Sequence, residues 1–278
     1  MILFLSIVFS FLLAITSFIL SYIINKNILI SLIIGIFAFL LVIALFCGAI
    51  ILILIFKGKQ FAKTYDPRDK KRWRLMNDVS SFIIFWLGIK IHVKGMDKLP
   101  KKQPLVFYSN HQGFLDMFVY DLVLKSYPRG SMYKIEHAKN PIISGMVKAL
   151  GGVPVDRSDD RSAVKSVLTI INEVKNGVNF MIYPEGTRSR GIALNDYHAG
   201  SFKIAQKSGA PLVVLAIDGA YKKSCAIPFF RTNIYVEIVD VYENEKICSM
   251  PTVELSKLVF EQTKKALEIA RNNKKKED

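Results

Sequence analysis

The first 56 residues carry one charged side chain, Lys26. Ile2–Ile24 is apolar apart from a few Ser, Thr and Tyr residues, and Ile28–Phe56 is relieved only by Ser31, Gly35, Cys47 and Gly48. Each run exceeds the roughly 20 residues that cross about 30 Å of hydrocarbon at about 1.5 Å per residue. The break between them, Asn25-Lys26-Asn27, is polar and very short, so the pattern predicts a transmembrane helical hairpin over residues 1–56. A cleaved signal peptide fits less well, because Met1–Ser6 has no basic residue and the first apolar run is too long.

The rest of the chain differs sharply in composition. The 38 Lys and Arg against 23 Asp and Glu give a net charge of +15, nearly all of it beyond Phe56. With 51% hydrophobic residues, this excludes a disordered or collagenous chain. Cys47, Cys225 and Cys248 are an odd number with no C-x-x-C spacing, which argues against a disulfide framework or a thiolate zinc cage and for reduced thiols. The hairpin tip offers only Lys26, whereas Lys57, Lys59, Lys63, Arg68, Lys70, Lys71, Arg72 and Arg74 follow Phe56. The positive-inside rule then places both the N-terminus and the C-terminal portion in the cytoplasm, at the cell membrane. From Trp73 to Ile89, Leu75, Met76, Val79, Phe82, Ile83 and Trp86 recur at helical spacing. Residues 57–98 therefore read as a basic, amphipathic segment at an anionic membrane surface, the alternative being an ordinary helix packed on its own domain. No zinc finger, helix-turn-helix or aromatic RNA-binding strand accompanies the basic charge, so nucleic acid is not the expected partner.

Beyond Leu99-Pro100, short apolar runs alternate with helical stretches. Strands are expected at Leu105–Ser109, Met132–Ile135, Gly152–Val155, Phe180–Tyr183, Leu212–Ile217 and Ile234–Val241. Helices are expected at Leu115–Leu124, Pro141–Leu150, Arg161–Lys175, Ser201–Lys207 and Val253–Arg271. This alternation predicts a single α/β domain over residues 99–278, with a mostly parallel or mixed sheet flanked by helices. In such sheets ligands sit beyond the carboxyl ends of the strands, which directs attention to the polar residues following each one.

Two clusters stand there. The first is Ser109-Asn110-His111-Gln112-Gly113-Phe114-Leu115-Asp116. A neutral imidazole can take a proton from an alcohol, and a carboxylate on its other nitrogen would fix the tautomer and stabilise the imidazolium. Five residues at about 100° each do not align on one helix face, but Gly113 permits a turn that could join His111 to Asp116. Read alone, the pair could equally satisfy a loop and cap the next helix. The second cluster, Tyr183-Pro184-Glu185-Gly186-Thr187-Arg188-Ser189, could clamp a phosphate or carboxylate, or form a tight turn with a surface arginine. Lys134 and Arg157, at or just after strands, are further cationic candidates. His92, His137 and His198 have no partner at informative spacing.

The ordered blocks resemble the glycerolipid acyltransferase family, most of all its bacterial 1-acyl-sn-glycerol-3-phosphate acyltransferase branch. They are Asn110-His111-x-x-x-x-Asp116, Lys134-Ile135-Glu136, Asn140-Pro141, Gly151-Gly152-Val153-Pro154-Val155-Asp156-Arg157, Glu185-Gly186-Thr187-Arg188, Gly200-Ser201-Phe202-Lys203 and Gly209-Ala210-Pro211. The resemblance spans roughly Lys90 to Ile217. It implies transfer of a fatty acyl group from acyl-acyl carrier protein or acyl-CoA to the sn-2 hydroxyl of lysophosphatidic acid, giving phosphatidic acid. By the same resemblance His111 is the general base, Asp116 orients it, and Lys134, Arg157, Glu185, Gly186, Thr187 and Arg188 bind or position the acceptor. No metal or cofactor is implied beyond the thioester co-substrate. Other acceptors, glycerol-3-phosphate or a lysophospholipid, would use the same residues. A non-catalytic lipid-binding protein would have no need of both His111 and Asp116, and a phosphate-ester hydrolase would usually call for a metal or covalent nucleophile.

Overall fold

The computed structural model describes residues 2–63, 70–102, 104–140, 143–144, 147, 150–156, 159–222 and 231–277. Helix α1 spans Ile2–Asn25 and α2 spans Ile28–Lys63. Between them the Asn27 Oδ1 accepts from the amides of Leu29 and Ile30 at 3.0 and 3.2 Å, capping α2. Ser31 donates to the Asn27 carbonyl at 2.8 Å and lies 3.3 Å from Ser21, so the turn's polar groups satisfy one another. Deeper in the hairpin, a side chain at Gly35 would come within 3.2 Å of the Ala14 carbonyl, so the two backbones approach closely there. Val8–Asn25 and Ile28–Ala49 are long and apolar enough to cross a membrane. Phe9, Ile24, Leu29, Ile33, Phe37 and Leu45 point outward and are each at least half exposed, whereas a water-soluble helix would bury such residues.

Helix α3 (Lys70–Trp86) turns its apolar stripe inward. Trp73, Met76, Val79 and Ile84 are buried in the core, with Leu75, Ile83 and Trp86 packed against it. Ser80 donates to Asp121 at 2.9 Å, and the Arg129 guanidinium pairs with Asp121 at 2.9 Å while lying over the Trp73 ring. The apolar stripe of α3 is therefore packed on the domain, as in the alternative of an ordinary helix on its own domain. Phe85 is left facing outward, and Phe82 meets Phe46 of α2 edge to face at 6.0 Å, so α3 joins hairpin to domain.

Among the described residues the sheet has seven strands: β1 (Ile89–Lys94), β2 (Val106–Ser109), β3 (Arg129–Lys134), β4 (Val153–Val155), β5 (Asn179–Ile182), β6 (Leu212–Asp218) and β7 (Thr232–Tyr242), ordered β1-β7-β6-β2-β5-β3-β4. The block from β6 to β4 is parallel, β7 runs antiparallel to β6, and β1 is parallel to β7. Since β1 pairs through Ile89–Lys94, the sheet begins before the expected boundary at residue 99. Its alternation of Ile and Val with Lys90, His92 and Lys94 suits an edge strand with one wet face.

Side chains of β2 alternate between two cores: Phe107 packs with α3 and α4 (Asp116–Val123), Val106 and Tyr108 with the opposite layer. That layer holds α5 (Asp160–Lys175), α6 (Lys203–Ser208), α7 (Asn244–Cys248) and α8 (Thr252–Glu277). Asp159 caps α5 by accepting from the Arg161 and Ser162 amides. The expected helix at Pro141–Leu150 falls largely outside the described residues. The parallel block leaves the carboxyl ends of β2, β5 and β6 side by side.

Candidate active site

Strand β2 ends at Ser109, and the chain turns at once through Asn110, His111, Gln112 and Gly113 into α4. Asn110 is fully buried; its side-chain amide donates to the Ile217 carbonyl at 2.9 Å and its oxygen accepts from the Ile217 amide at 2.8 Å. The loop is thereby fixed to β6. Asp116 is the first residue of α4, where the helix N-terminus favours a negative charge. Its Oδ2 accepts from the Gln112 amide at 2.7 Å and the Gly113 amide at 3.0 Å, and lies 2.7 Å from His111 Nδ1. A carboxylate can only accept, so Nδ1 carries the proton and Nε2 the lone pair. Asp116 is wholly buried and its Oδ1 has no partner among the described residues; the His111 side chain is 22% exposed. A buried acid thus holds a ring whose free nitrogen can meet a substrate.

Gly113 does serve the turn, but through close approach. A side chain there would sit 3.3 Å from the Ala220 carbonyl, and its φ is not in the left-handed region. The glycine that requires positive φ is Gly186, at 70°.

The second cluster follows β5, the neighbour of β2. Tyr183 stacks its ring on the His111 imidazole, centroids 4.1 Å apart. Burial, aided by the nearby Asp116 charge, holds its phenol well above the ordinary range, so it stays protonated and acts as a wall rather than a base. Glu185 is buried and bridges two loops: its Oε1 accepts from the His111 amide at 2.6 Å and its Oε2 from the Asn195 amide at 2.9 Å. Burial raises its carboxyl above the usual range, and the two amide hydrogen bonds pull the other way. The Ser189 amide donates to the His111 carbonyl at 2.8 Å. That contact places exposed Thr187 and Arg188 on the segment directly beside the imidazole loop.

The expected site residues divide accordingly. His111, Asp116 and Glu185 are joined by direct contacts, with Gly186, Thr187 and Arg188 on the adjoining turn. Lys134 ends β3, which β5 separates from β2, and its exposed ammonium lies 3.6 Å from Glu136. Arg157 lies outside the described residues. Sequence reading named Asn110 and Tyr183 within the two clusters but gave neither a part, and it missed Asn195; all three parts depend on strand neighbours. Among the described residues, no group of three or more His, Cys, Asp or Glu is placed to hold a metal ion.

A family model described as acyltransferase matches residues 90–218, which contain both clusters. Over those residues the chain is similar to the acyltransferase family. A chloroplastic 1-acyl-sn-glycerol-3-phosphate acyltransferase of Arabidopsis thaliana is 31% identical over 185 residues, covering 66% of this chain and 51% of the relative. A 1-acyl-sn-glycerol-3-phosphate acyltransferase of Borreliella burgdorferi is 26% identical over 191 residues, 67% of this chain and 75% of the relative. The crystal structure of PlsC, the 1-acyl-sn-glycerophosphate acyltransferase of Thermotoga maritima, superposes with a TM-score of 0.61 at 25% identity, covering 79% of this chain and 95% of that one. The chain spans about half the length of the chloroplastic relatives it matches. The matched stretch contains the sheet-rim histidine, its carboxylate and the Glu-Gly-Thr-Arg turn.

Proposed function

We propose that this chain transfers a fatty acyl group from a thioester, carried by acyl carrier protein or CoA, to the sn-2 hydroxyl of lysophosphatidic acid, yielding phosphatidic acid. The observation that carries the reading is the 2.7 Å contact between His111 Nδ1 and the buried Asp116 carboxylate. It leaves Nε2 to accept the hydroxyl proton as the alcohol oxygen attacks the thioester carbonyl. Collapse of the tetrahedral adduct expels the thiolate, and the imidazolium, steadied by Asp116, returns the proton to it. The acceptor supplies the nucleophile, so no serine or cysteine of the protein is needed. Backbone amides of the turn after Gly186 would serve the oxyanion. Arg188, with Lys134 and Arg157 as further cations, holds the acceptor's phosphate. Glu185 acts on the loops rather than on substrate.

The hairpin supports the same reading, since acceptor and product are lipids and a tethered domain meets them at the membrane surface. The charge asymmetry around Lys26 supports a cytoplasmic position for that domain.

A panel assay tests the acceptor: lysophosphatidic acid, glycerol-3-phosphate and a lysophospholipid, each with one labelled thioester. Lysophosphatidic acid should be acylated fastest; preference for another acceptor would overturn the assignment. Sidedness is read at exposed Cys248, with Cys47 and Cys225 replaced by Ser. A membrane-impermeant maleimide should label Cys248 only after permeabilisation, and labelling of intact cells would reverse the orientation.

A further inference from the structure

The family-matched region ends at residue 218, yet the site's support continues beyond it. Asp218 closes β6 with its side chain 5% exposed, and helix α8 delivers Arg271 to it. Arg271 donates to Asp218 Oδ1 from Nε at 3.1 Å and from Nη2 at 3.0 Å. The same Nη2 donates to the Ile192 carbonyl at 3.0 Å, on the loop between Arg188 and Asn195. Asp218 Oδ1 also lies 3.4 Å from the buried Gln112 amide nitrogen, and Gln112 Oε1 accepts from the Ala220 amide at 3.2 Å. Gln112 is the neighbour of His111, and its backbone amide is one of the donors to Asp116. Below this chain of contacts, Ala266 and Leu267 of α8 pack with Ala216 of β6 and Leu194 of the loop.

We infer that Arg271 is a positioning residue, a clasp that locks the Arg188 loop and the His111 loop to the end of β6 and so fixes the distance between acceptor clamp and base. The assignment rests on the proposed acyl transfer for its catalytic meaning, but its geometry stands apart from it. One guanidinium ties the end of β6 to the Arg188 loop because its planar fork reaches the Asp218 carboxylate and the Ile192 carbonyl together, which an ammonium cannot match at the same geometry, and Asp218 carries the tie on to the His111 loop through Gln112. The partly buried pair is worth more than an exposed one, and its loss takes a cation away from the buried Asp218 carboxylate. The fold does not depend on it, since Leu255, Val259 and Leu267 bury α8 independently.

The test uses the full chain in detergent or lipid, comparing wild type, Arg271→Ala, Arg271→Lys and Asp218→Asn. Hydrogen exchange is followed in the segment 186–195, where the Ser189 and Asn195 amides report the two loop anchors. Arg271→Ala should speed exchange there at least about tenfold with a near-native Tm, and Arg271→Lys should recover part of the protection. In acylation assays the acceptor's KM should rise more than kcat falls, and the change should be less than additive with that of Arg188→Ala. Unchanged exchange in 186–195, or KM effects that simply multiply with those of Arg188→Ala, would overturn the clasp. Should Arg271→Ala fail to fold, Asp218→Asn, which keeps volume and removes charge, takes the same reading. Exchange needs no turnover, so an inactive wild type with a protected loop would sink the acyl-transfer reading and leave the clasp standing.

Discussion

The end of β2 and the turn after β5 adjoin each other but are built on opposite plans. Around His111, side chains and amides are committed: Asn110 to Ile217, Asp116 to three donors, Glu185 to two amides, Tyr183 to the imidazole face. On the neighbouring turn, Thr187 and Arg188 stand exposed, and the backbone contact at Ser189 ties their segment to the His111 loop. The contrast separates two kinds of work. Proton transfer needs a fixed ring and a fixed tautomer, whereas a phosphate clamp can close on its ligand when it arrives.

Substitutions can break or sharpen that contrast. On the rigid side, His111→Ala should lower kcat by about 10²–10⁴-fold without altering the circular dichroism spectrum. Asp116→Asn should follow closely, because an amide in that buried position can present an N–H to Nδ1 and favour the wrong tautomer; near-normal turnover would show that the ring needs no fixing. On the open side, Arg188→Ala should raise the acceptor's KM about tenfold with a smaller change in kcat, as expected for lost phosphate binding; an unchanged KM would remove the clamp. Lys134→Ala should raise KM only about two- to threefold, since that ammonium is solvated and shared with Glu136.

The smallest effect concerns Glu185 and stability. Burial raises its folded-state pKa, so folding favours the protonated carboxyl. That contribution is present at and below the ordinary carboxylate range and is lost as pH rises through the elevated value. In thermal unfolding across that window, wild type should lose Tm relative to Glu185→Gln as pH increases; parallel curves would contradict the burial effect.

The strands of the sheet's centre were legible because they are short, apolar and bounded by polar turns. Val106–Ser109, Asn179–Ile182 and Leu212–Asp218 lie within a residue or two of expectation. Strand β1 was missed because an edge strand with lysines on its wet face lacks the apolar run that marks a buried one. Helix α3 illustrates a deeper limit: an amphipathic stripe looks the same whether it meets lipid or a core, and the packing shows only where Asp121 and Arg129, brought from elsewhere in the chain, meet Ser80 and Trp73. In the site, the His111 and Asp116 pair was legible from its motif. The bridge made by Glu185 was not, because Asn195 and the His111 amide become its neighbours only when β5 lies beside β2. The support from Asp218 and Arg271 was likewise invisible, with 53 residues separating the partners.

The central claim is that the imidazole at residue 111 removes the acceptor's proton. The most direct test is thioester-dependent acylation of lysophosphatidic acid in liposomes under single-turnover conditions, with wild type and His111→Ala side by side. Wild type should form phosphatidic acid, while the variant binds acceptor with similar affinity and transfers the acyl group at least about a hundredfold more slowly. Transfer by His111→Ala at a near-wild-type rate would contradict the account.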